Sequence, residues 1–303
     1  MPATISLRAW IELALLAFLW GASFLSIRIA LDEIGPLTAV AHRTLWAAVL
    51  LWGVVWLQGV PIPLAPRVWG AFLVMGLLNN VIPFGLMAWG QLHISSGLTS
   101  VLNAATAIWG VLIAALFFAD ERLTLRKLIG VGLGFLGVIF AVGPGSIVGF
   151  SLQNLAQLAV IAGTLSYALA SVWARKTLVG LAPHCAAAGM LSAATLIALP
   201  LAWVFEGQPR LWLAPLTWGA IAYYALGATA LAYLLYYRVL KMAGAGNLML
   251  VTLMIPPIAI VLGAWVRGET LAPLAWLGLG VLALGFAVLD GRPLRMIQAK
   301  RMK

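Results

Sequence analysis

Carboxylates are scarce in this chain: Asp and Glu number eight among 303 residues, against 18 Lys and Arg. All of them, Glu12, Asp32, Glu33, Asp120, Glu121, Glu206, Glu269 and Asp290, stand near the ends of long apolar runs. With no acid at mid-run there is no buried proton relay and no fixed counter-charge for an organic cation. An obligatory proton/cation antiporter is disfavoured on that ground, with Glu12 the one weak exception. Charged residues of either sign make up only 9% of the chain, against about 25% in soluble domains, which excludes a soluble fold.

Other chemistry is missing too. Cys185 is the single cysteine, so no internal disulfide can form, and within APHCAAAG it reads as a small helix-packing residue. His42, His93 and His184 have no metal-ligand spacing, and HExxH, GxSxG and Walker A patterns do not occur. Gly132-x-Gly134-x-x-Gly137 matches a dinucleotide fingerprint in letters, but it lies inside an apolar run with no strand before it. Gly130 and Gly134 there give the small-xxx-small spacing of close helix packing instead. No cofactor, metal or nucleic acid is expected, and a membrane enzyme is a remote alternative.

What is present is hydrophobic residue, 64% of the chain, with mean hydropathy +1.07. Apolar runs fall at 10–31, 37–58, 69–90, 97–118, 127–143, 153–174, 183–205, 217–240, 246–266 and 273–290. Each suits a helix across a ~30 Å hydrocarbon core. The sequence therefore predicts an all-α polytopic membrane protein of ten transmembrane helices. The first run is too long for the apolar core of a signal peptide and is followed by no clear cleavage site, so it is expected to be retained. The formal charge of +10 is scattered between runs rather than gathered on one face. With both termini cytoplasmic, fourteen of the 18 bases lie inside, and only Arg28, Arg43, Arg210 and Arg267 lie outside. The positive-inside rule favours that orientation, in a cell (inner or plasma) membrane.

The chain also repeats itself. At an offset of 147 to 149, WGAFLVMG at Trp69 pairs with WGAIAYYA at Trp218, Glu121 with Glu269, and Gly130 with Gly278. Residues 1–150 and 151–303 are thus two five-helix repeats, the second ending in a short basic cytoplasmic tail. Because five is odd, the second repeat must enter the membrane from the opposite side. Inverted repeats can exchange conformations around a midplane site, the geometry of a carrier; a stable bundle built by duplication is the alternative. ADERLTLRKLIG, around Glu121, keeps its bases, whereas its twin RGETLAPLAWLG, around Glu269, has lost Arg126 and Lys127. Opposite orientations account for the difference.

LWGASFLSIRIAL at 19–31, HRTLWAA at 42–48, ISSGLTSVLNAATAIWGVLIAALFFADERLT at 94–124 and GTLSYALASVWARKTL at 163–178 resemble the ten-helix EamA-type exporters of the drug/metabolite transporter superfamily. The likeness runs in order through nearly the whole chain. Within that superfamily the general likeness is to YddG-type aromatic amino-acid exporters. Arg28 stands where the family often has Lys, and Tyr167 where its second half often has Trp. The resemblance implies export of small neutral metabolites, amino acids above all and aromatic ones preferred. A proton-coupled drug/metabolite antiporter and a passive channel are the alternatives. The expected partners are the lipid bilayer and a small-molecule substrate, an amino acid or similar metabolite.

Polar residues at mid-run mark the candidate site. GLLNNVIPFG places Asn79 and Asn80 near the membrane centre, facing either a cavity or a neighbouring helix. Pro83 should free a carbonyl there, that of Asn79 by α-helical counting. Thr99, Asn103, Thr106 and Gly110 form a stripe on one helical face, for substrate or for interhelical bonding. Pro256-Pro257 should break or sharply bend the ninth run, and interrupted helices point to transporter sites. Five of the six tyrosines fall in the eighth run; Tyr236 and Tyr237 suit an interfacial belt, while Tyr233 lies deeper. Trp20, Phe84, Tyr167 and Tyr233 could converge with Asn79, Asn80 and Asn103 between the first, third, fourth, sixth, eighth and ninth spans, or pack against lipid and other helices. Arg43, about 10 Å into the second helix by helical rise, is either a gate or substrate-carboxylate ligand, or a side chain snorkelling to the headgroups. Asp32 and Glu33 are its candidate partners.

Overall fold

A computed structural model describes residues 6–119, 121–143, 151–210, 212–248 and 250–290. Asp120 and the basic tail from Arg292 to Lys303 lie outside them. Ten helical spans follow one another: span 1 Leu7–Ala30, span 2 Pro36–Leu57, span 3 Pro66–Gly90, span 4 Ser96–Phe117, span 5 Leu125–Val142, span 6 Leu152–Thr177, span 7 Pro183–Glu206, span 8 Pro215–Gly244, span 9 Val251–Arg267 and span 10 Pro273–Asp290. No strand occurs among the described residues. That is what hydrocarbon demands, since a helix satisfies its own backbone and an open strand edge cannot.

Local chemistry starts these helices in the same way in both halves. Spans 1 and 6 open on Ser6 and Ser151, whose hydroxyls accept from Ala9 and Asn154 N–H. Spans 2 and 7, and 3 and 8, open on Pro36, Pro183, Pro66 and Pro215, where a missing N–H costs nothing. The packing repeats as well. Span 5 lies along span 10 and span 2 along span 7; span 1 on span 9 is mirrored by span 6 on span 4, and span 2 on span 8 by span 7 on span 3. The bundle is two five-helix repeats of opposite orientation about a pseudo-two-fold axis.

Spans 5 and 10 approach backbone to backbone because their facing positions are glycine. A Cβ built on Gly278 would stand 2.6 Å from the Gly137 carbonyl oxygen and 2.6 Å from the Ala141 nitrogen. Gly130 meets Leu289 and the Gly285 carbonyl in the same way, while Gly134 turns instead onto Ile108 of span 4. Of the fingerprint-like glycines, Gly134 and Gly137 are thus packing residues, while Gly132 faces outward with nothing within 4 Å of a built Cβ. Cys185 is buried in an alanine-rich cluster with Ala187, Ala188 and Leu191.

The helix breaks differ from expectation. Span 9 runs unbroken from Val251 through Pro256 and Pro257 to Arg267. Proline's fixed φ is itself helical, and here the turn seats against span 1, where Ile258 and the Ile255 carbonyl crowd Gly21 and hold the path. The chain instead leaves the helical path earlier, at Gly244, whose φ is +77°. Span 4, with no proline, breaks at mid-depth: Ala104 and Ala105 donate to Val101 and Leu102, three residues back. The polar stripe is divided there, Thr99 and Asn103 before the break and Thr106 and Gly110 after it. Spans 3 and 8 each contain a π-helical stretch, Leu77–Val81 and Tyr223–Leu231, which overlap at the repeat offset.

Candidate functional site

The π-turn in span 3 resolves which carbonyl Pro83 frees. Ile82 N–H bonds to the Leu77 carbonyl, five residues back, so the carbonyl that Pro83 would have served in this register is that of Leu78, not Asn79. Ser166 of span 6 fills it, its Oγ donating at 2.7 Å. The expectation of a bare Asn79 carbonyl is corrected: a neighbouring helix satisfies the kink.

Arg43 of span 2 is 8% exposed, so it does not snorkel. Its Nε donates to Thr229 Oγ1 at 2.8 Å, and Thr229 in turn donates at 2.7 Å to the Tyr224 carbonyl five residues back. The guanidinium lies over the Phe84 ring, 3.8 Å from its centroid. Tyr167, Tyr224 and Tyr233 are all close enough to feel its charge. No salt bridge to Arg43 exists among the described residues. Its two proposed acids are occupied elsewhere, Asp32 with Arg28 and Arg267 and Glu33 with the Ala214 N–H. They sit at the span ends, where helix termini and arginines hold them.

Around this cation the structure collects residues from spans 2, 3, 6 and 8. Phe84 meets Tyr167 edge to face at 6.3 Å. Asn79 Nδ2 donates to the Tyr233 hydroxyl at 3.0 Å, and Tyr233 stacks on Tyr237 at 6.4 Å. Trp20 joins only at one remove, through Tyr236 at 6.0 Å, which meets Tyr237 at 5.3 Å. Phe84, Asn79, Tyr167 and Tyr233 stay only partly buried although each lies well inside its span. Asn80 is fully buried and neither atom of its amide has a hydrogen-bond partner; the Asn103 Oδ1 is likewise buried and unpartnered. Neither is joined to the Arg43 cluster by a hydrogen bond. Pro256 is buried beside Ile255, and Pro257 faces outward. Thr229 and Ser166 escaped the sequence reading. A signal existed for Thr229, which lies four residues before Tyr233 on one helical face; none existed for Ser166.

The two ends of the bundle are closed differently. At the end carrying residues 31–35 and 268–272, acids cap helix N-termini, where the dipole favours them. Glu206 accepts from Leu37 and Thr38 N–H at 2.7 and 2.8 Å, and Glu269 from Ser96 N–H and Oγ at 2.9 and 2.6 Å. Burial would raise Asp32, but the hydrogen bond and charge of Arg267, then of Arg28, outweigh it and hold the carboxyl below its usual range. A lowered pKa means this link is intact above the free carboxyl's pKa and is lost only as pH falls through the lowered value. At the other end Glu121 binds Lys127 at 3.1 Å and Arg175 at 3.7 Å, and Glu12 binds Arg8 and Arg238. The twin glutamates therefore act differently: Glu121 pairs with Lys127, one of the bases its copy kept, and with Arg175, whereas Glu269, whose copy lost them, caps span 4.

An apolar groove of about 420 Å³ lies between spans 2 and 7, lined by Ala41, His42, Leu199 and Trp203 among others. It contains none of the cluster residues, and few polar groups converge there, so it is not taken as the site.

Ten apolar spans in inverted repeats, with a cation buried inside the bundle among aromatic rings, define a polytopic membrane transporter. The chain belongs to the EamA-like transporter family, whose model matches residues 8–143 and again 154–289. It is 26% identical to the Escherichia coli K12 protein "Uncharacterized inner membrane transporter YedA" over 90% of this chain and 87% of that one. To "Protein PagO" of Salmonella typhimurium it is 25% identical, over 89% of each chain. To "Uncharacterized transporter YoaV" of Bacillus subtilis it is 22% identical, over 82% and 85%. A crystal structure shares the fold with TM-score 0.68 and 17% identity, over 98% of this chain and 99% of the other.

Proposed function

We propose that the protein is an alternating-access carrier that exports amino acids, aromatic ones preferred, from the cell across the inner membrane. Residues 1–150 and 151–303 form the exchanging repeats, and both termini face the cytoplasm. The observation that carries the reading is Arg43, buried at mid-bundle, stacked on Phe84 and near the Tyr167 and Tyr233 rings. A guanidinium suits a carboxylate and flat rings suit an aryl side chain. Asn79 and Tyr233 line the same space, and Asn80, Asn103 and Trp20 border it in this reading. Saturable flux with counterflow in liposomes supports a carrier, and non-saturating flux would mean a channel. Strict dependence on external acid would return attention to Glu12, whose Oε2 is buried without a partner.

Truncating Trp20 or Tyr167 to alanine is expected to weaken transport of phenylalanine and tryptophan more than of alanine, since a favourable ring pair contributes about 0.5–1.5 kcal/mol. Initial rates for the three amino acids, normalised to protein, measure this. Equal loss for all three assigns the rings to folding or gating.

Orientation has its own test. In a Cys185→Ala background, Thr270→Cys should react with an impermeant thiol reagent on intact cells, and Arg122→Cys only after permeabilisation. The reverse pattern would refute the orientation.

A further inference from the structure

The charge around Arg43 is one-sided. Every acid whose side chain is described is engaged at a span end: Glu12 and Glu121 with bases, Asp32 between two arginines, Glu33, Glu206 and Glu269 on helix N-termini. Asp120 and Asp290 close spans 4 and 10 in the sequence. The site thus has a cation to receive a carboxylate and no anion to receive an ammonium. Of its hydroxyls, those of Thr229 and Tyr233 are engaged, while that of Tyr224 is buried without a hydrogen-bond partner and offers an ammonium only a neutral oxygen. Thr229 already accepts from Arg43 and donates to the Tyr224 carbonyl, and the Tyr233 oxygen accepts from Asn79. One face of Phe84, which could hold an ammonium by cation–π contact, is covered by the guanidinium itself. Arg43 would also repel a second positive charge brought beside it in a low-dielectric interior.

The geometry of Arg43 selects further. Nε is taken by Thr229 and one face by Phe84, which leaves the edge formed by Nη1 and Nη2, for which no hydrogen bond is found among the described residues. That two-nitrogen edge matches the two oxygens of a carboxylate. Phe84, Tyr167 and Tyr233 supply flat walls beside it.

We infer that the ligand class of this site is an aryl monoanion, a ring bearing one carboxylate, and that the amino group of an aromatic amino acid adds little to its recognition. The inference rests on the proposed aromatic amino-acid site and narrows it. It also supplies a driving force. Each exported monoanion carries one negative charge outward, so an inside-negative potential of 100 mV sustains roughly a 50-fold concentration ratio, the tenfold steps contained in the energy of one charge crossing that potential. No proton relay is needed.

A matched trio tests it: phenylalanine, 3-phenylpropionate, which lacks only the ammonium, and 2-phenylethylamine, which lacks only the carboxylate. Their dissociation constants are measured by titration calorimetry on the full chain in lipid nanodiscs at pH 7.5. The expected result is that 3-phenylpropionate binds within about threefold of phenylalanine or tighter, and 2-phenylethylamine at least about 30-fold more weakly, the scale of a lost buried charge-assisted pair. Arg43→Gln should bring 3-phenylpropionate down to the level of the amine. Arg43→Lys, which keeps the charge but not the two-nitrogen edge, should fall between them and decides the point if the glutamine variant does not fold. Binding of the amine within about threefold of 3-phenylpropionate, or phenylalanine about 30-fold tighter than 3-phenylpropionate, overturns the inference. If phenylalanine alone binds, only the inference fails; if none of the three binds a folded protein, the aromatic amino-acid reading fails with it.

Discussion

Arg43→Gln is expected to lower kcat/KM for phenylalanine by at least about 30-fold while leaving the thermal unfolding temperature unchanged or raised. The two effects separate because they have different origins. The structure provides Arg43 with a hydroxyl, a ring face and no carboxylate, so the fold gains little from the charge and carries its desolvation; replacing such a group is often neutral or stabilising. A bound carboxylate, by contrast, would lose a buried, charge-assisted partner, at a cost of about 2–5 kcal/mol. Glutamine retains hydrogen-bonding capacity and much of the volume, which limits the collapse of the pocket. Counterflow rates in proteoliposomes and melting of the purified protein measure the two quantities together. Full activity in the glutamine variant would remove Arg43 from the site; a parallel fall in activity and melting temperature would make it a structural residue. Arg28→Gln is the control for loss of a positive charge, since Arg28 sits at a span end and Asp32 would still keep Arg267.

Gly278→Leu is expected to abolish the monodisperse folded protein, or to lower its melting temperature far more than Gly280→Leu does. The two glycines lie two residues apart on span 10 and face opposite ways. A Cβ at Gly278 would meet the backbone of Gly137 and Ala141, whereas nothing lies within 4 Å of one at Gly280. Backbone cannot give way as a side chain can, so the leucine must push span 5 off span 10. Overpacking typically costs about 1–3 kcal/mol, and here the whole seam of Gly130, Gly137, Gly278 and Gly285 would open with it. Size-exclusion profiles and melting curves of the two variants side by side decide the matter. Equal behaviour would mean that the seam is not what holds these spans.

The sequence by itself determined the ten spans, their near boundaries, the doubling of the chain and the family. The spans depend on the free energy of moving a segment of about 20 residues from water to hydrocarbon, a sum over local composition that needs no knowledge of neighbours; the doubling rests on matched residues at a fixed offset, and the family on a resemblance of motifs. It also showed which polar residues stand at mid-depth, because depth follows from counting along a helix. What those residues touch was decided only by tertiary structure. Arg43 could have turned to Asp32 in the adjacent loop, yet its partner is Thr229, 186 residues away. Pro83 announced a kink, but the π-turn moved the freed carbonyl to Leu78 and Ser166 of another span answered it. Pro256 and Pro257 carried the strongest breaking signal, and a close seat on Gly21 of span 1 overrode it, while span 4 broke at two alanines that carry no signal at all. Glu121 and Glu269, alike in sequence, took a pair of bases and a helix N-terminus because inversion set them at opposite ends of the bundle. In hydrocarbon every backbone or side-chain polar group must find a partner, but which partner it finds depends on where the other helices lie.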